Sequence, residues 1–69
     1  MANLEIRNTD TIGIIYIVDF PTSAFHKVTR ILRNNKVKFE FCILNDGFRV
    51  EFLGKDITLT SVMALMGVE

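Results

Sequence analysis

Sixty-nine residues make one small domain, and eight basic against eight acidic side chains leave a formal net charge of zero. That balance argues against a nucleic-acid protein held by bulk electrostatics and against an acidic mimic of DNA. One cysteine and one histidine exclude an internal disulfide and a structural zinc cluster of the usual type, so self-association is the remaining way to reinforce a thin core.

The opening "MANLEIRNTD" has no basic region followed by an apolar run, so no secretory signal is expected. The longest apolar run, Ile12 to Val18, is far too short for a bilayer. With the lone thiol of Cys42, these features point to a reducing, cytoplasmic setting and to no membrane partner.

In chain order, Leu4 to Arg7 can form a short leading strand, ended by the polar break Asn8-Thr9-Asp10. Ile12 to Phe20 is rich in β-branched residues and predicts a strand. Its apolar residues fall on both parities, as in a central strand partly covered on both faces. Pro21 closes it, and Thr22 or Ser23 stands where a helix cap is needed. The spacing of Phe25, Val28, Ile31 and Leu32 then predicts a helix over 22–34, with His26, Lys27, Arg30 and Arg33 on its other side. Asn34 and Asn35 are expected to end it, since Asn tolerates a left-handed conformation.

"KVKFEFCILNDGFRVEFL", residues 36–53, alternates strictly around "NDG" and predicts a hairpin. A two-residue turn at Asp46-Gly47 would set Phe41 against Phe52; one at Asn45-Asp46 would set Phe41 against Val50. Either way Val37, Phe39, Phe41 and Ile43 share a face with Phe48, Val50 and Phe52, because only a one-residue slip exchanges faces. The other face receives Lys38, Glu40, Cys42, Leu44, Arg49, Glu51 and Leu53. After the turn "GKD", residues 57–60 can extend the sheet or begin a helix. A helix over 58–66 is expected, capped by Thr58 or Thr60 and stopped by Gly67.

The order β(β)αββα predicts an α+β fold, a small ferredoxin-like sandwich without its final strand. An antiparallel sheet would carry two helices on one face, with the phenylalanine face beneath them. "DGFRVEF", Asp46 to Phe52, resembles the aromatic third-strand motif of RNA-recognition-motif domains, with Tyr16 loosely matching the first-strand aromatic. That resemblance implies rings on an open sheet face, stacking bases. Here Asp46 replaces the leading basic residue, the motif is one residue short, and the charged opposite face is unsuited to lie under two helices. "VDFPTSAFHKVTRILRNNKVKFEF" is similar in rhythm to regulatory domains of the ACT type, which implies a small ligand near the strand-to-helix turn. Pro21 and Thr22 stand where those domains often have glycine.

No catalytic constellation emerges, and no metal or cofactor is expected. Cys42 and His26 would lie on opposite sides of the sheet-and-helix sandwich, too far apart to share a proton. Asp10, Asp19, Asp46 and Asp56 have no metal-loop spacing. Lys38, Glu40, Arg49 and Glu51 are expected to be cross-strand partners that keep a face wet. Two surfaces remain. The basic side chains His26, Lys27, Arg30 and Arg33 form a candidate anion-binding face. Ile15, Ile17, Cys42, Leu44 and Leu53 fall on the sheet face away from the helices, with Arg49 and Glu51 as a polar rim, and form a candidate interface. The expected function is a non-enzymatic, homodimeric protein that binds another protein as an inhibitor or adaptor. The alternative is a domain that senses or sequesters a small anion, such as a nucleotide, at a subunit interface; RNA binding ranks below both.

Overall fold

A computed structural model describes residues 2–68. Strands β1 (Asn3–Thr9) and β2 (Gly13–Pro21) form a hairpin; a 3-10 turn (Thr22–Ala24) then leads into helix α1 (Phe25–Asn34). A second hairpin, β3 (Glu40–Ile43) and β4 (Gly47–Leu53), precedes helix α2 (Leu59–Met66). The sheet order is β1-β2-β4-β3, with every neighbouring pair antiparallel. β2 and β3 therefore run parallel on either side of β4, and α1 connects them as a split β-α-β unit. The fold is α+β.

The core follows from strand parity. Tyr16, Val18 and Phe20 of β2 lie directly across from Phe52, Val50 and Phe48 of β4. All six are buried, and they meet Val28 and Leu32 of α1 and Val62 and Leu65 of α2 in one cluster. Both helices thus cover the same sheet face. The Phe20 and Phe48 rings stack with centroids 5.3 Å apart, and Phe25 closes edge-on over Phe48 at 5.1 Å.

Local chemistry departs from expectation at three junctions. Neither Thr22 nor Ser23 caps α1: the chain turns in through the 3-10 segment, and no side chain bonds to the free N–H groups there. At the far end Asn35 has φ −95°, and the left-handed residue is Lys36, φ 56°. The Lys36 N–H donates to the Arg33 carbonyl at 3.1 Å and the Val37 N–H to the Leu32 carbonyl at 3.0 Å. These two bonds are a Schellman cap, accompanied by burial of Leu32 and part-burial of Val37 in the same core. The cap occupies residues expected to begin the next strand, so β3 starts only at Glu40, while Val37 and Phe39 pack onto the core from irregular backbone.

The hairpin between β3 and β4 takes the second of its two possible registers. Phe41 pairs with Val50 and Ile43 with Phe48, leaving Asn45-Asp46 as the turn, closed by the Leu44 N–H on the Gly47 carbonyl at 2.9 Å. Gly47 does not supply a positive φ here. A Cβ on it would run into the Phe20 carbonyl oxygen, so its role is close approach between β4 and the end of β2. The helix over 58–66 forms as expected: Thr58 is the N-cap, its Oγ1 accepting the Ser61 N–H at 3.1 Å.

Candidate protein-interaction surface

Three rows of side chains cross the helix-free face of the sheet: Asn3–Asp19–Arg49–Cys42, Glu5–Ile17–Glu51–Glu40 and Arg7–Ile15–Leu53. Cross-strand neighbours stand about 5 Å apart at Cβ, so each row is a contact line. The residues expected to form an apolar interface do gather on this face. Cys42 and Glu51 are exposed, while Ile15, Leu44, Arg49 and Leu53 are half-buried. Ile17 is only 6% exposed, flanked in its row by Glu5 and Glu51. The chain already shields it, so its share in any contact is small.

The charges pair differently from the hairpin partnership expected for them. Arg49 reaches across to β2, where its Nε donates to Asp19 Oδ1 at 2.7 Å and its Nη2 to Oδ2 at 3.1 Å. This two-pronged hydrogen bond holds the Asp19 carboxyl below its usual pKa and raises that of Arg49. Glu40 is left directly opposite Glu51, a like-charge pair that costs a little stability. The face is therefore a polar sheet surface with apolar patches between ion pairs.

The exposed large apolar side chains lie elsewhere. Phe41 is 51% and Ile43 69% exposed, both on β3 and on the helix side of the sheet, at the margin of the helix layer. Phe41 touches the Phe25 ring edge-on, centroids 5.9 Å apart, and joins a file of rings running from Phe20 out to the sheet edge. Their backbone points outward as well. In an antiparallel ladder bonded and non-bonded pairs alternate. With Leu44 and Gly47 a bonded pair, Cys42–Arg49 and Glu40–Glu51 are bonded too. The N–H and C=O groups of Phe41 and Ile43 therefore face away from β4, along the open edge. The same two residues present unpaired backbone and apolar side chains, which is what a docking strand requires. Parity had assigned both to the core; it fixes the face a residue occupies but not how far the helix layer extends over it.

The four basic residues of the other candidate site are all exposed on α1. His26, Arg30 and Arg33 line a shallow cleft of about 250 Å³ together with Thr29 and Asn34, while Lys27 lies outside it. The Thr29 hydroxyl donates to the Phe25 carbonyl at 2.8 Å. No described carboxylate forms an ion pair with Lys27, Arg30 or Arg33. A cleft of about 450 Å³ that the sequence did not signal lies between the C-terminal end of α1 and the start of α2, lined by Ile31, Val37, Ile57, Thr58, Ser61 and Leu65. It is lined by residues of both helices and of the segments beside them, far apart in the chain, and no local motif marks such a place.

Among the described residues, no three His, Cys, Asp or Glu side chains come together as a metal site, and no helix is long and apolar enough to cross a membrane. No protein-family model, curated protein or solved structure matches this chain.

Proposed function

We propose that the chain is a small non-enzymatic binding protein, homodimeric and cytoplasmic, that acts on another protein by contact, as an inhibitor or adaptor. The observation that carries this reading is the β3 edge, where Phe41 and Ile43 offer apolar side chains and unpaired backbone groups together. An extended segment of a partner adds there as a further strand, its alternate side chains meeting the Phe25–Phe41 ring pair. Cys42 and Leu44, of opposite parity, put the helix-free face beside the same edge. The fold is read as ferredoxin-like, with β1 standing beside β2 in the place of the absent final strand; the split β-α-β unit and the sheet order support this.

The test is a random peptide display selection followed by amide chemical-shift mapping on the isotope-labelled protein. Selected peptides are expected to alternate apolar residues and to shift the amides of residues 40–44, and Ile43→Lys should weaken them at least tenfold. Binders that shift only other surfaces, or that bind Ile43→Lys equally, would sink the reading.

A second reading has its own observation, the unpaired cations around the cleft on α1. It makes the chain a sensor or store of a small anion such as a nucleotide. A nucleotide panel should then raise the melting temperature by mass action, and Arg30→Ala with Arg33→Ala should remove the shift. Equal shifts in the double variant would rule out the cleft.

A further inference from the structure

The other edge of the sheet, β1, is built to pair with itself. Backbone bonding alternates across the whole sheet: the Gly54 N–H on the Ile14 carbonyl at 2.7 Å marks the even residues of β2 as bonded to β4. The odd residues of β2 therefore bond β1 through Asn3, Glu5, Arg7 and Thr9, their register partners. That leaves the N–H and C=O groups of Leu4, Ile6 and Asn8 pointing off the open side of β1. Ile6, midway along the seven-residue strand, is 51% exposed.

Two copies of β1 can meet antiparallel about a two-fold axis only in registers that set even residues against even. Centring the axis on Ile6 sets Ile6 against Ile6, Leu4 against Asn8 and Asn3 against Thr9, using the whole strand and about six backbone hydrogen bonds. The same register places Glu5 of each copy directly opposite Arg7 of the other, as a close non-bonded pair on the helix-free face. Sliding by one allowed step centres the axis on Glu5 or on Arg7, and then two carboxylates or two guanidinium groups collide. The charges thus favour one register and penalise its neighbours. Within one chain Glu5 and Arg7 are already joined, Arg7 Nη2 to Glu5 Oε2 at 2.7 Å, with both side chains more than half exposed and free to exchange partners. The chain carries no net charge to oppose the approach.

We infer that two copies of this protein join through β1 in the Ile6-centred register, forming a continuous eight-stranded antiparallel sheet locked by two reciprocal Glu5–Arg7 ion pairs. This rests on the reading of the chain as a homodimer and gives that dimer its geometry. The β1 contact is two-fold and uses the same strand of both copies, so it adds no third copy through β1.

Charge swapping across separate chains tests it. Glu5→Arg alone puts arginine against arginine at the axis, and Arg7→Glu alone puts glutamate against glutamate. Each variant is expected to be monomeric in sedimentation velocity at concentrations where the parent is dimeric, and folded by circular dichroism. Mixed one to one, they should form a heterodimer in native mass spectrometry, because only the mixed pair opposes unlike charges. An ion pair confined to one chain is not restored by mixing. If both single variants dimerise like the parent, or if the mixture stays monomeric, the β1 geometry is wrong while a homodimer of another kind stands. A parent chain that is monomeric even at millimolar concentration overturns the homodimer itself.

Discussion

Single residues here act mainly through where the backbone lets them stand. Gly47 is the clearest: its hydrogen faces the Phe20 carbonyl, and any side chain would force β2 and β4 apart beside the stacked Phe20 and Phe48 rings. Gly47→Ala is expected to cost about 1–3 kcal/mol, the usual scale of overpacking, read as a lower urea midpoint at unchanged slope. Asp19 gives a pH signature. Arg49 lowers its pKa in the folded chain, so the stabilisation is full above the unfolded carboxyl value, near 3.9. It fades as the pH falls through the lower, folded value. Asp19→Asn should therefore melt below the parent at pH 7, with the gap closing under about pH 4. A gap that persists at pH 2 would mean that shape and not charge holds the pair.

The elements show what a sequence reveals and where it goes silent. Alternation in residues 36–53 fixed which side chains share a face, and helical spacing placed α1 and α2 within a few residues of their ends. Both hairpin registers were compatible with that alternation; the observed one places Gly47 in β4 and not in the turn, where it packs closely against Phe20, a residue 27 positions earlier in the chain. The late start of β3 was hidden for a similar reason. The two asparagines do end the helix, Asn34 as its last residue and Asn35 as its C-cap, yet the left-handed residue is Lys36, and Val37 follows Leu32 into the core. A lysine there bears the steric cost that glycine avoids. Lys36→Gly is expected to stabilise the protein by about 0.5–1 kcal/mol, checked by its denaturant midpoint. Of the candidate interface, the shared face of Ile15, Cys42, Leu44 and Leu53 was legible from parity. The shielding of Ile17 and the bareness of Phe41 and Ile43 were not, because both depend on lateral neighbours and on the width of the helix layer.

For the whole molecule, a small core and two open sheet edges belong together. The β1 edge is patterned with paired opposite charges, suited to a copy of itself; the β3 edge is apolar, suited to something else. Joined at β1, two copies would leave their β3 edges at opposite ends of one sheet, a bivalent arrangement that strengthens binding to a partner presenting two matching segments. Stability should then depend on concentration. The melting temperature is expected to climb steadily from micromolar to millimolar protein, and to lose that dependence in Glu5→Arg.

The sheet order has a kinetic side. The two central strands, β2 and β4, which hold the buried rings, are separated in the chain by α1 and β3, whereas each edge strand is tied to its neighbour by a short turn. Local zipping can make either hairpin early but buries few of the rings. The step that commits the chain is the meeting of Phe20 with Phe48 and of Asp19 with Arg49, a closure over roughly thirty residues that must precede most of the burial that rewards it. A hairpin formed before that meeting would leave a strand edge unpaired, the condition under which short strands join the wrong chain.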